Sequence, residues 1–380
     1  MAQYVKRTFP SHFIIQSVYG GIMSLKYAIF KPRESDKSFL LSVLFMTVRM
    51  LFFVVLLIGL SCTGLVAGVG KAWVDTTPDL DLEKIGAQAH FATDLPLPFY
   101  TLGAVSFPDQ AQFHPLKFMT AISRGLKIAE HTPARGFNGN SVLTDYGRII
   151  AEKVIIATHF PVINKHGFYF AKQYQSRSYV IALANAPKLN GMYRDEADDG
   201  YSFRNYGNSL LIGGNAHRTG KKTAGWADLE EAAERWYPTA RLQYRWAAQD
   251  CMTLDSIPYI GKYSRRSSEL YVATGFNKWG MTTSMVASMI LADKICGREN
   301  PYAPVFTPQR SSVHPQLITN MLESTASLLK PTVPRCPHMG CALKWNPQER
   351  SWDCPCHGSR FDEDGKLLDN PATGDLNHKP

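Results

Sequence analysis

The sequence reads CPHMGC at 336–341 and WDCPCHGSRF at 352–361, so Cys336 and His338 stand fifteen residues ahead of a second pair, Cys354 and His357. Two thiolates and two imidazoles in two short loops carrying Gly and Pro suit a mixed-ligand [2Fe–2S] cluster, with the thiolates on one iron and the imidazoles on the other. A remaining pair, Cys341 and Cys356, lies one per loop and would lock the loops together if oxidised.

A structural zinc site is the competing reading. Zinc usually takes C-x2–4-C with H-x3–5-H, whereas here each loop supplies one Cys, one His and an extra Cys. The segment resembles Rieske domains, including Gly358 and Ser359 after the last ligand. That resemblance implies a serine hydroxyl donating to a bridging sulfide. It also marks Phe361, where the respiratory members carry a tyrosine that donates to a ligand sulfur. Phe361 has no donor, and hydrogen bonds to sulfur are a main lever on potential. A potential below that of the respiratory complexes is expected.

The chain has 380 residues, enough for two or three domains. Its net charge of +9 comes from scattered basic residues, which gives no nucleic-acid footprint. Cys62, Cys251 and Cys296 stand isolated and read as structural thiols.

Residues 1–38 mix apolar patches with Lys and Arg. The stretch 39–71 is apolar, and Met50 to Gly70 carries no charge, with Arg49 and Lys71 at its ends. A run of this length can cross a hydrocarbon core of about 30 Å as a helix. The Lys and Arg bias puts residues 1–38 on the cytoplasmic side. The expectation is thus a single-pass membrane protein, with a cytoplasmic location if the stretch does not span. Two rival readings are a buried core helix and a degenerate nucleotide turn, Gly59-x-Ser61-x-x-Gly64, with its middle glycine replaced.

Beyond residue 80 the texture is that of an α/β protein. Apolar spacing predicts a helix within Gln112–Ala129. A hairpin turning at Gly147 is expected to have its second strand over Ile149–Ala157, leading into the loop Thr158-His159-Phe160-Pro161. Strands are expected at 178–184 and 208–213, and a helix over Asp228–Trp236. Leu270–Ala273 reads as a strand, followed by a Gly-rich loop and an apolar helix from Thr282. A strand–loop–helix unit aims free N–H groups and a positive dipole end at the loop, suiting an anionic or electron-rich cofactor edge. His217 and Arg218, beside Gly213-Gly214, could meet an acidic substrate or form a solvated turn.

Residues 246–310 resemble the C-terminal, FAD-contacting segment of the D-amino-acid-oxidase-like and glycine-oxidase-like flavoproteins. VIIATHFP resembles their strand and loop past the flavin, and LPLPF…QAQFHPLKF their central region. The resemblance implies flavin contacts from Thr158, His159, Gly275, Phe276, Asn277, Lys278, Gly280 and Met281, and assigns no catalytic residue. The family's G-x-G-x-x-G unit, with its acidic residue for the ADP half of FAD, is not found. The expected fold class is an α+β/α/β flavoprotein-like domain (an incomplete Rossmann-type FAD fold) with an N-terminal membrane helix and a small all-β Rieske domain. The expected boundaries are 80–310 for the oxidoreductase, 311–330 for a linker and 331–380 for the Rieske domain.

The function implied is oxidation of an amine or amino-acid-like substrate by hydride transfer to FAD, with single electrons passed to the [2Fe–2S] cluster. The partners implied are that substrate, an electron acceptor or donor protein or a quinone, and the membrane, without nucleic acid. A membrane-tethered Rieske electron carrier without flavin catalysis is the alternative.

Overall fold

The computed structural model describes residues 88–163, 167–197, 199–221, 225–331 and 334–376. Segment 1–38, the apolar stretch 39–71 and the Gly59/Ser61/Gly64 turn lie outside them. Residues Ala89–Pro380 form one compact unit.

Two short strands, β1 (His90–Ala92) and β2 (Ala104–Ser106), pair antiparallel. Helix α1 (Pro115–Ile122) starts at His114, whose Nδ1 accepts from the Lys117 amide at 3.3 Å. Pro115 at the first helical position has no N–H to leave unpaired. The segment 134–150 is a three-stranded meander of β3 (Ala134–Asn138), β4 (Ser141–Thr144) and β5 (Gly147–Ile150).

The strand expected over 149–157 is therefore two strands. β5 stays in the meander, while β6 (Val154–Ile156) runs parallel to a later strand, β13 (Leu270–Thr274). The break occurs where the Val154 amide donates to the Glu269 carbonyl at 2.9 Å.

The largest sheet holds β7 (Gln173–Ala184), β8 (Tyr193–Arg194), β9 (Ser202–Tyr206), β10 (Ser209–Arg218) and β11 (Arg241–Thr253), in the order β11-β7-β10-β9-β8. A short helix, α2 (Tyr169–Lys172), leads into β7. Alternate residues of β7 (Tyr179, Ile181 and Leu183) face a core with Leu210 and Ile212 of β10. Helix α3 (Ala227–Trp236) closes that core with Leu229 and Ala233. Strand β12 (Tyr259–Lys262) pairs with β13, and α4 (Gly280–Ile295) packs Ala287, Ile290 and Leu291 against Ile260, Tyr271 and Ala273.

A short α5 (Ala303–Phe306) and the helix α6 (Pro315–Leu329) lead to the C-terminal sheet. This is an antiparallel meander of β14 (Lys344–Asn346), β15 (Ser351–Asp353), β16 (Arg360–Asp362) and β17 (Leu367–Asp369). Its small core is built on Cys336, Cys341, Cys354, Cys356, Leu343, Phe361 and Ala372.

The expected membrane helix needs correction. Among the described residues no helix is long and apolar enough to cross a membrane. The longest, α4, has 16 residues, about 24 Å at 1.5 Å per residue against a core of about 30 Å. Its Ala287, Ile290 and Leu291 also pack against a sheet. The fold class is corrected to an α+β flavoprotein-like fold with a small β-rich C-terminal domain. No described helix supports the single-pass membrane location or the membrane partner.

Candidate functional site

The two ligand loops are built alike. In the first, the Gly340 amide donates to the Cys336 carbonyl at 2.8 Å; in the second, Gly358 donates to Cys354 at 3.0 Å. Both glycines have positive φ, 79° and 85°, a region that a side chain disfavours. Each turn thus closes on itself, with its ligand residues at the tip. Cys341 and Cys356 form a disulfide across the two loops. The sulfur of Cys354 also lies within 4.8 Å of theirs, but the disulfide leaves those two without a thiolate to offer.

Cys336 and Cys354 remain free thiols, both buried. A hydrogen bond from Cys354 is the main cause that brings the Cys336 thiol down to about 7. The same bond, with burial, pushes Cys354 well up. The first proton therefore leaves this coupled pair readily, which yields one thiolate of the kind that binds metal. The rings of His338 and His357 stand at 89° with centroids 4.9 Å apart. Burial lowers the His338 imidazole to about 4. Burial, with the charges of His338 and Arg218, lowers His357 to about 3. Both are neutral at pH 7, the form in which imidazole binds metal. His357 is 1% exposed, and its two buried ring nitrogens have no partner in good hydrogen-bond geometry, with the Phe170 backbone beside them. A buried nitrogen left this way is costly unless a ligand takes it, so the four side chains fit a mixed-ligand cluster.

The imidazoles face inward. Phe160, fully buried, lies 6.3 Å from the His338 ring and 5.9 Å from the His357 ring. Phe170 meets His357 edge-on at 6.2 Å. Phe160 ends the Thr158-His159-Phe160 loop that follows β6.

The loops after the parallel strands β6 and β13 leave from the same end, the carboxyl end at which open α/β sheets bind ligands. The two loops touch, because Thr274 Oγ1 donates to the His159 carbonyl at 2.5 Å. His159 has φ 63°, Asn277 52° and Gly275 69°. A Cβ on Gly275 would stand 2.2 Å from Thr253 Cγ2, so glycine is required there. Asn277 anchors the loop: its Oδ1 accepts from the Thr253 amide at 3.0 Å, and its Nδ2 donates to Ser256 and Gly275 carbonyls.

Phe276 packs partly on the α4 core, Gly280 opens α4, and Met281 is half-buried. Lys278 lies within electrostatic reach of Asp250. Thr158 Oγ1 donates to the Phe160 carbonyl at 2.9 Å. The eight expected flavin-side residues therefore gather at one end of the β6–β13 pair. Beneath them, Gln173 Oε1 and Gln175 Nε2 are buried without hydrogen-bond partners. Both amides could serve a polar cofactor edge.

Several residues escaped sequence reasoning. Gln175 Oε1 is 3.1 Å from His159 Nε2, and the Gln175 stem packs so close to Gly358 that a Cβ there would lie 2.2 Å from its Cγ. Asp250 carries a carboxyl raised by burial and partly restored by Lys278 and His159. His217, a candidate for acidic substrate, instead stacks on Tyr179 at 5.5 Å, and Arg218 reaches the second ligand loop. Cys251 is buried and its thiol is pushed up to about 12, mainly by burial.

The family of FAD dependent oxidoreductases matches residues 69–294, more than half of the chain. The chain belongs to that family. The model of the Rieske [2Fe-2S] domain matches residues 327–380, so this FAD-dependent oxidoreductase ends in a Rieske domain. Bacillus subtilis (strain 168) YhfW, named as a Rieske 2Fe-2S iron-sulfur protein, is 32% identical over 350 residues, covering 76% of this chain and 68% of YhfW. Cytochrome b6-f complex iron-sulfur subunit 3 of Nostoc is 48% identical over 40 residues, 10% of this chain and 22% of that one. L-proline dehydrogenase from P. horikoshii shares the fold at a TM-score of 0.51 and 18% identity, over 60% of this chain and 70% of that one.

Within the Rieske domain, Phe361 is fully buried in the same core as Cys336 and Cys354. Phe361→Tyr would place a hydroxyl beside these sulfurs. A donated hydrogen bond favours the reduced, more negative cluster, so the potential should rise by roughly the equivalent of a tenfold change, ~59 mV for one electron. A redox titration followed by electron paramagnetic resonance checks this, and an unchanged or lower potential would count against it.

Proposed function

We propose that the chain oxidises an amine or amino-acid-like substrate by hydride transfer to FAD and hands the electrons on singly through a cluster held by Cys336, His338, Cys354 and His357. The observation that carries the reading is the seating of both imidazoles on Phe160, the residue next to His159 in the flavin-side loop. Bound flavin supplies two-electron chemistry and a [2Fe–2S] cluster supplies one-electron steps.

In this reading Thr158, His159, Gly275, Phe276, Asn277, Lys278, Gly280 and Met281 line the flavin edge. Asn277 keeps the loop open at left-handed φ. Lys278 lies in electrostatic reach of Asp250 beside it, and Asp250 is the group to test for proton movement. Phe160 and Phe170 keep water from the imidazoles. A neutral imidazole pair facing the flavin-side loop leaves a short path between the two centres within one unit. The L-proline dehydrogenase fold supports the amino-acid substrate class by architecture alone, and the acceptor is an electron-transfer protein or quinone.

The test is the absorbance spectrum of purified full-length protein before and after dithionite, with acid-released flavin and iron quantified. The expected result is about one flavin and about two irons per chain, with flavin and cluster both bleached by an amine or amino-acid substrate. Iron without flavin would favour the electron-carrier reading, and absence of both would sink the proposal.

A further inference from the structure

Arg218 closes β10 in the flavoprotein sheet, yet its guanidinium serves the other domain. Nε donates to the Pro355 carbonyl and Nη2 to the Cys356 carbonyl, both at 2.9 Å. These are the two residues between the ligands Cys354 and His357. The third corner, Nη1, donates to Asn320 Oδ1 at 2.7 Å. Asn320 is 1% exposed and is fixed in turn by its Nδ2 on the Ala171 carbonyl at 3.0 Å. The Tyr174 ring lies 5.0 Å from the guanidinium carbon. Two residues along, Gly220 approaches Pro355 so closely that a Cβ would be 3.0 Å from its nitrogen. The backbone of the second ligand loop is thus gripped from outside its own domain, by a planar fork that two carbonyls match.

The charge has few neighbours to offset it. Glu323 on α6 is the carboxylate in electrostatic reach of Arg218, with the weaker acids Tyr174 and Cys354 after it, and Glu323 is paired with Lys221. Burial lowers the guanidinium pKa from its high ordinary value, but arginine stays charged in proteins.

We propose that Arg218 is a positioning residue of the cluster that also raises its reduction potential, holding the Cys354–His357 loop and placing a fixed cation behind it. The inference rests on reading Cys336, His338, Cys354 and His357 as the cluster ligands. Reduction adds one electron to the cluster and breaks no bond. A nearby cation favours the more negative, reduced form, so removing it makes the cluster harder to reduce. The cation comes from the flavoprotein domain, so the potential depends on the docking of the two domains.

The experiment is a redox titration of the full-length protein, followed by electron paramagnetic resonance, on the unmodified chain and on R218M, R218K and E323Q. R218M should fall by at least the equivalent of a tenfold change in the reduction equilibrium, ~59 mV for one electron. R218K should recover most of that loss, because it keeps the charge while giving up the two-carbonyl fork. E323Q should shift the other way, since it removes the negative charge facing Arg218 without touching the ligand loop. R218M with full iron and an unshifted potential overturns the proposal, as does R218K falling as far as R218M. If R218M does not retain iron, E323Q decides: a rise supports the proposal and no change overturns it. Absence of a mixed-ligand signal in the unmodified protein would instead refute the ligand reading itself, a result distinct from unshifted variants.

Discussion

A His357→Cys protein is expected to lose the mixed-ligand signature and to drop in potential by on the order of hundreds of mV, the gap between Rieske centres and all-thiolate [2Fe–2S] centres. Charge sets the direction of the shift. Burial lowers the His357 imidazole to about 3, so it would enter the site as a neutral ligand. A thiolate there would add one negative charge to the cluster that is to be reduced. That penalises the reduced state, and burial leaves little water to screen the penalty. Packing adds a second effect. His357 is 1% exposed and lies against Phe160 and Phe170; the smaller cysteine leaves space there, so a more labile cluster should accompany the drop. Iron per chain and a redox titration measure the two effects separately. A spectrum and potential identical to the parent's would show that His357 is not a ligand.

Such a variant could be named from sequence because the cluster loops are a local pattern. Cys336, His338, Cys354 and His357 sit in two self-closing turns, so spacing alone places each ligand at a tip. The pairing of Cys341 with Cys356 follows from one cysteine per loop. A strand was expected near each of β6 and β13, but their parallel pairing was not, because the strands are more than a hundred residues apart in the chain.

What sequence could not give are the groups that act across the domain boundary. β7 begins at Gln173 rather than 178 because Gln173, Gln175, Ser176 and Arg177, polar residues outside the expected apolar alternation, are buried. Gln175 and Arg177 meet the Rieske domain directly, through Gly358 and Glu349. Arg218 looked like half of a solvated turn for the same reason: its partners, Pro355 and Cys356, lie more than 130 residues downstream. The reading of 39–71 as a membrane helix rested on composition alone. An apolar run of that length carries no local signal of whether lipid or protein is to cover it.

Replacement of Glu349 should be the largest stability effect outside the cluster, because this carboxylate joins the two domains through buried charge. Its Oε1 accepts from Arg177 Nε at 2.6 Å and from the Tyr179 hydroxyl at 3.0 Å, and its Oε2 from Arg360 Nη2 at 2.8 Å. Side-chain exposure is 5% for Glu349 and 6% for each arginine. In Glu349→Ala, Arg360 keeps Asp353 at 2.9 Å and Asp369 at 3.1 Å, whereas Arg177 keeps only Asp369 at 3.8 Å. A buried cation with no partner costs about 3–5 kcal/mol, and the distant Asp369 brings the loss for Arg177 below that ceiling. Arg177 belongs to the flavoprotein sheet and Glu349 to the β14–β15 turn, so the loss should appear as undocking of the Rieske domain. Thermal unfolding should split into two transitions, the lower one carrying the cluster signal. The double variant Arg177→Met, Glu349→Leu should recover most of the stability, since an apolar pair leaves no unpaired charge. Burial pushes the Glu349 carboxyl up, but the hydrogen bonds and charges of Arg177, Arg360 and Tyr179 outweigh it and leave it below the ordinary value. A carboxyl depressed in the folded state stabilises fully above its unfolded pKa, and that contribution is lost as pH falls through the folded value. Docking in the unmodified protein should therefore hold through neutral pH and weaken below about pH 4.5, the ordinary carboxyl value. Glu349→Gln should flatten that acid limb. An acid limb of unchanged shape in Glu349→Gln would move the docking energy away from this carboxylate and onto the contacts of Phe160 and Gly358.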